Sequence, residues 1–277
     1  MSSPDLFSWE GKVVLVTGAR RGLGRATALA FAEAGADIAV CDAVIDDGEL
    51  EALTKGIKGK GCRALGTRTD ISQKSEVDSL VQRVVAELGT IDILVNNAAI
   101  GSAGQPGKPP FFETPEAEWN RVIDVNLKGY YFCAAAAGKV MIEHKKGSII
   151  SIASVDGISA GISKYLVPPE LTRMEMPLFA SPYQISKAGI IMLTRLLARQ
   201  LGSSGIRVNA VAPTAMKTEL TRALWNKPET LQYWETRIPL KRIAEPDDIV
   251  GVIMFLASDA ARYVTGHTIV ADGGLLA

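Results

Sequence analysis

Tyr183 and Lys187 stand four residues apart, so on a helix their side chains rise from one face. A free phenol has a pKa of about 10 and is a poor base near neutral pH. A neighbouring ammonium favours the phenolate and brings the phenol toward the working range of an acid/base. Upstream, Ser154 can hydrogen-bond a substrate oxygen and hold it against the phenol. Asn126 would position a water next to Lys187 and so give the proton a route to solvent. The chemistry that fits is proton exchange at an alcohol or carbonyl oxygen. Tyr165 is a decoy: it follows Ser163-Lys164, but the residue four further on is Pro169, which cannot be the partner lysine. His144 and His267 are isolated and read as structural or exposed, not as bases or ligands.

A second group of residues concerns phosphate. Residues 12–17 (KVVLVT) read as a strand and run directly into Gly18-Ala19-Arg20-Arg21-Gly22-Leu23-Gly24, after which a helical pattern begins. Glycines allow a tight turn and a close backbone approach to a pyrophosphate, and a helix N-terminus offers unpaired N–H groups to it. Glycines before a helix are often only a turn, so the strand-turn-helix context carries the reading. The spacing is G-x3-G-x-G, not the commoner dinucleotide fingerprint G-x-G-x-x-G. Asp42 closes the second strand, where a carboxylate can accept both ribose hydroxyls and repel a 2′-phosphate, which argues for NAD. Arg20 and Arg21 argue the other way, since a guanidinium beside the ribose can hold that phosphate. The reading favours NAD and leaves NADP open. With such a cofactor, hydride passes directly between a substrate carbon and the nicotinamide, whose oxidised ring also favours phenolate at Tyr183.

The elements that must position these groups alternate along the chain. Residues 12–17, 37–41, 91–95, 148–152 and 206–211 are short, largely apolar and β-branched, as in strands covered on both faces. Helical patterns occupy residues 24–34, 74–88, 116–140, 183–201 and 246–256. Gly35 and Gly89 follow two of them, where a left-handed C-terminal residue is wanted. The alternation predicts parallel βαβ units in one α/β domain over residues 1–277, a Rossmann-like doubly wound sheet with helices on both faces. Two segments break the rhythm: the Gly/Pro-rich residues 101–110, and residues 155–182, too long for an ordinary strand-to-helix connection. Both follow carboxyl ends of strands, the side where open α/β sheets bind ligands.

Lysine plus arginine and aspartate plus glutamate number 30 each, so no overall field attracts nucleic acid or anionic lipid. Cys41, Cys62 and Cys133 are too few and too scattered for a disulfide framework or a zinc site, and no metal is expected. The first residues do not read as a signal peptide and no apolar run reaches membrane-span length, which places the protein in the cytoplasm.

The chain resembles the short-chain dehydrogenase/reductase family over nearly its whole length. The resemblance is carried by Thr17-Gly18-Ala19-Arg20-Arg21-Gly22-Leu23-Gly24, Asn96-Asn97-Ala98-Ala99, Asn126, Ser154, Tyr183-Gln184-Ile185-Ser186-Lys187 and Asn209-Ala210-Val211-Ala212-Pro213-Thr214. It implies that Asn126, Ser154, Tyr183 and Lys187 are catalytic. It further implies that Asp70, with Ile71, touches the adenine, that Asn96 braces the sheet and that Asn97 and Ala98 line the cofactor cleft. Tyr183, Lys187, Pro213 and Thr214 would complete the cofactor's surroundings, with Thr218 on the carboxamide. Ala99 stands where the family commonly has glycine, and Pro213-Thr214 where proline-glycine is commoner. A homotetramer or dimer is implied, through the helices over 116–140 and 183–201.

A non-catalytic dinucleotide-binding sensor or scaffold is the alternative, but it would have lost a member of the Ser/Tyr/Lys/Asn set, and all four stand here. An epimerase or dehydratase of the extended relatives would need a longer C-terminal substrate domain. The interval between Ser154 and Tyr183 (183 minus 154, 29 positions) is about twice what the resemblance implies, so an insertion is expected over 157–181. Its apolar residues fit either a lid that packs on a partly hydrophobic substrate, together with Leu220, Leu224, Trp225 and Trp234, or a subunit contact.

Overall fold

The computed structural model describes residues 4–101, 114–159 and 182–277. The loop expected from residue 101 and the insertion expected over 157–181 therefore lie almost wholly outside the described residues.

Among the described residues seven strands form one parallel sheet: β1 (Val13–Thr17), β2 (Asp37–Asp42), β3 (Ala64–Arg68), β4 (Ile93–Asn96), β5 (Gly147–Ile152), β6 (Ile206–Pro213) and β7 (Thr268–Ala271), in the order β3-β2-β1-β4-β5-β6-β7. Helices α1 (Gly22–Glu33), α2 (Glu49–Lys58) and α8 (Pro246–Ala257) cover one face; α3 (Lys74–Leu88), α5 (Gly129–His144) and α6 (Pro182–Leu201) cover the other. The near-continuous apolar run of β1 follows from that. Val13 and Leu15 join the core under α3, α5 and α6, while Val14 and Val16 join the core under α1, α2 and α8. Burying each such side chain contributes roughly 1.5–3 kcal/mol. The chain winds outward from β1 to β3, then crosses back to β4, so a crevice opens at the carboxyl ends of β1 and β4. The doubly wound Rossmann-like fold expected from the alternation is the one observed.

The structure departs from the sequence reading in three respects. β3 and β7 were not expected as strands; β3 (ALGTR) lies at an edge of the sheet, and of its residues only Leu65 is buried. The helix expected over 116–140 is instead α4 (Glu116–Ile123), a π-helical turn at Asp124–Lys128, and α5. Such turns recur at functional sites, and this one carries Asn126 fully buried. The third difference is a separate apolar cluster of Tyr233, Trp234, Ile238 and Ile243, built around α7 (Pro228–Arg237) with Trp225 and Leu275 packed against it. The C-terminal turn closes it: Asp272 accepts the N–H groups of Gly274 and Leu276 at 2.8 Å each. Trp234, expected beside a substrate lid, is 6% exposed in this cluster and does not face the crevice. The side chain of Leu224 lies outside what the structure describes.

Candidate active site

A cleft of about 440 Å³ opens above the carboxyl ends of the strands. Its floor is the turn between β1 and α1. Gly18 (φ +63°) and Gly22 (φ +57°) hold left-handed backbone, and a Cβ on Gly18 would sit 2.5 Å from Cα of Ala98. Gly24 does not line the cleft, contrary to expectation. Its missing side chain is needed for packing, because a Cβ there would meet the Gly18 carbonyl oxygen at 2.4 Å and Nδ2 of Asn97 at 2.5 Å. Asn97 ties the floor down by donating from Nδ2 to the carbonyls of Thr17 and Gly18, both at 2.9 Å. Asn96 is buried and donates to the Tyr130 carbonyl at 3.2 Å, bracing β4 against α5.

Helix α1 begins at the cleft with no side-chain cap and no acidic residue in its first turn, so its leading N–H groups are left for an external acceptor. Arg20, Arg21, Gly22 and Leu23 line the cleft beside it. Asp42 at the end of β2, Asp70 and Ile71 after β3, Ala98, and Pro213, Thr214 and Thr218 after β6 complete most of the expected wall. The Thr214 hydroxyl is buried and has no hydrogen-bond partner among the described residues, an unsatisfied group on this wall. Asp70 accepts the Ser72 N–H at 2.9 Å through Oδ1. Thr218 is fixed at its carbonyl by Nε1 of Trp225 at 3.1 Å and at its N–H by Oγ1 of Thr221 at 3.3 Å.

At the other end Ser154, Tyr183 and Lys187 share the wall. Ser154 stands just past β5, and its Oγ accepts the Asp156 N–H at 3.1 Å, which fixes the rotamer. Lys187 is 1% exposed; its Nζ donates to the Ile152 carbonyl at 2.7 Å and lies 5.5 Å from the ring centres of Tyr183 and Tyr130. Burial lowers the Lys187 ammonium to about 7. Burial also pushes the Tyr183 phenol well above its ordinary value, the Asp156 carboxylate adds to that, and a hydrogen bond with Ser154 opposes it. The lowering expected from the neighbouring lysine is therefore not what the protein alone shows. A buried phenol resists ionising, and a lysine near 7 is only part-charged at neutral pH.

Asn126 does not reach the cleft wall. Its side chain is clamped to the backbone of Ile100, with Oδ1 accepting the N–H and Nδ2 donating to the carbonyl, both at 2.9 Å, and Nδ2 lies 3.4 Å from Oγ of Ser186. Its amide thus shapes the segment after β4. Lining residues that sequence reasoning missed include Val44, Thr69, Ile100, Arg121 and Val125, while Leu220, expected beside the substrate, does line the cleft. Thr69 follows the unread strand β3, and Arg121 comes from α4 with no motif to mark it.

Two family models cover the chain: short chain dehydrogenase over residues 12–166, and Enoyl-(Acyl carrier protein) reductase over residues 171–276. A 3-oxoacyl-[acyl-carrier-protein] reductase from Staphylococcus epidermidis is 37% identical over 266 residues, 95% of this chain and 98% of its own length. The solved structure of a short-chain type dehydrogenase/reductase from Mycobacterium marinum superposes with a TM-score of 0.85 at 36% identity, covering 99% of each chain. That of a gluconate 5-dehydrogenase from Burkholderia cenocepacia J2315 in complex with NADP and tartrate gives 0.85 at 30% identity, again over 99% of each. The chain belongs to the short-chain dehydrogenase/reductase family and is an oxidoreductase of that family.

Proposed function

We propose that the protein is a cytoplasmic enzyme that transfers a hydride between NAD(H) and a secondary alcohol or ketone, with Tyr183 as the acid/base. One observation carries this: Ser154, Tyr183 and Lys187 stand on the wall of the same cleft onto which the uncapped N-terminus of α1 and the Asp42 carboxylate open. The residues fit a nicotinamide dinucleotide. The leading N–H groups of α1 suit a pyrophosphate, Gly18 and Gly22 let backbone approach it, Asp42 suits a ribose diol, and the unpartnered Thr214 hydroxyl offers a further hydrogen bond. Once bound, the cofactor supplies the hydride acceptor or donor and, when oxidised, a positive charge.

The chain's own residues then handle the proton. Ser154 orients the substrate oxygen against the phenol of Tyr183, and Tyr183 takes or gives the proton at that oxygen. Lys187, protonated, offsets the cost of charge on the buried phenol, and its low proton affinity lets it pass a proton onward. Asn126 acts by shaping the wall through Ile100. NAD is favoured because Asp42 would face a 2′-phosphate with like charge; the NADP named with the Burkholderia structure keeps that cofactor in play. The chain would be one domain over 1–277 with an insertion at 157–181. We place homo-oligomer contacts on α4–α6, where Tyr131, Ile142, Ile185, Met192 and Leu196 expose apolar side chains. Screening secondary alcohols and ketones by nicotinamide absorbance tests the function. Turnover with at least one of them is expected, and a chain that binds NADH but turns over none would favour a sensor or scaffold.

A further inference from the structure

We propose that Asp47 is a second determinant of cofactor choice, a positioning residue that holds Arg20 against Asp42 and keeps its guanidinium from a 2′-phosphate. The proposal rests on the reading of Asp42 as the ribose-facing residue.

Three elements bring the cluster together: Arg20 comes from the turn between β1 and α1, Asp42 from the end of β2, and Asp47 from the loop before α2. Nη1 of Arg20 is bonded to Oδ2 of Asp47, while its Nε lies 3.6 Å from Oδ1 of Asp42. That Nε is buried and makes no hydrogen bond among the described residues. Asp42 instead accepts the Val44 N–H at 3.0 Å through the same Oδ1. Asp47 is itself fixed, because its Oδ1 accepts the N–H of Glu49, the first residue of α2, at 3.2 Å. The guanidinium is therefore tethered from its far side by a carboxylate whose own rotamer is set by α2.

Exposure sorts the two arginines that the sequence left level. The Arg20 side chain is 12% exposed, whereas Arg21 is exposed and makes no ion pair among the described residues. Arg20 is thus the cation fixed at this end of the cleft. With one cation and two carboxylates the cluster is net negative, and one arm of the fork that could grip a phosphate, Nη1, is already engaged. A ribose diol meets hydrogen-bond acceptors there; a 2′-phosphate meets like charge and an arginine that must first be released. Removing the Asp47 charge neutralises the cluster and frees Nη1 toward the cleft.

The test is a set of dissociation constants for NADH and NADPH, which needs no substrate. In Asp47→Asn the NADPH affinity relative to NADH is expected to rise about tenfold, the order of removing one like charge from a partly exposed site. Asp47→Glu, which restores the tether, should return toward the wild-type ratio. Adding Arg20→Ala to Asp47→Asn should abolish the gain, because the freed guanidinium is what takes the phosphate. An unchanged ratio in Asp47→Asn, or a gain that survives loss of Arg20, overturns the proposal. Asp42→Ala separates the two layers of argument. If it raises relative NADPH affinity while Asp47→Asn does not, the ribose assignment stands and the role of Asp47 falls. If neither variant moves the ratio, both fall.

Discussion

At one end of the cleft Lys187 is shut away from water and Tyr183 enters from the same layer of helix; at the other, Arg20, Asp42 and Asp47 keep partial contact with solvent. Burial dominates the first region. It lowers the lysine to about 7, pushes the phenol up, and raises the nearby Asp156 carboxyl to about 6. Charge pairing dominates the second, where opposite charges are spaced across three segments of chain. Proton affinities are therefore set where water is excluded, and discrimination between similar ligands is set where charges remain screened but organised. Changes at the first end should move rates and pH behaviour strongly; changes at the second should move ligand ratios modestly.

Tyr183→Phe gives the largest expected effect. It removes the proton donor and leaves the dinucleotide end untouched, so kcat should fall on the order of a thousandfold or more while the NADH dissociation constant stays put. Steady-state kinetics beside a fluorescence titration would check both halves. Substantial residual turnover would break the contrast at its strongest point.

Next in size is Asp156→Asn, read by stability against pH. The folded carboxyl binds its proton more tightly than the usual value of 3.8, so its contribution is most favourable below about pH 4 and is lost as pH rises through about 6. A shift of about two units corresponds to roughly 3 kcal/mol, and partial exposure of Asp156 brings the expected cost to about 2 kcal/mol. The Asn variant should therefore be more stable than the parent at pH 8 by about that amount, with the difference vanishing near pH 4. Chemical denaturation at the two pH values decides it, and a less stable variant at pH 8 would refute the burial argument.

A smaller change, on the order of tenfold, is expected from Asp42→Ala at the other end. Loss of the carboxylate removes repulsion of the 2′-phosphate, so the ratio of kcat/KM for NADP to that for NAD should rise, mainly through KM. A wild-type enzyme that already prefers NADP would mean that Arg20 outweighs Asp42.

The alternation of apolar and amphipathic runs was enough to read the central strands and the crevice side, because strands buried on both faces are nearly all apolar. β3 escaped because an edge strand can be ALGTR, and β7 because TIVA is short and partly exposed. Of the site, the residues on strand ends and on one helix face were legible, since Tyr183 and Lys187 need only helical spacing to meet. The close packing at Gly24 and the clamp from Asn126 onto Ile100 were not legible, as both depend on neighbours distant in sequence. The tether from Asp47 to Arg20 and the burial of Trp234 under the C-terminal turn have no local pattern at all.

The smallest expected effect joins the two ends. Trp225 belongs to the cluster around α7, yet its indole N–H donates to the Thr218 carbonyl on the cleft wall at 3.1 Å. Trp225→Phe keeps most of the apolar contact and removes that one donor. A single hydrogen bond of this kind is worth about 1 kcal/mol net, so the fold should survive with only a slight loss of stability. Thr218 keeps its tie to Thr221, so the segment should loosen without detaching. Cofactor affinity is therefore expected to weaken less than about fivefold, for NADH and NADPH alike. That equality distinguishes Trp225 from Asp42, whose loss should separate the two cofactors. If Trp225→Phe changes the ratio between them, the post-β6 segment also reads the ribose end, and the division of labour along the cleft is less sharp than the ion pairs imply.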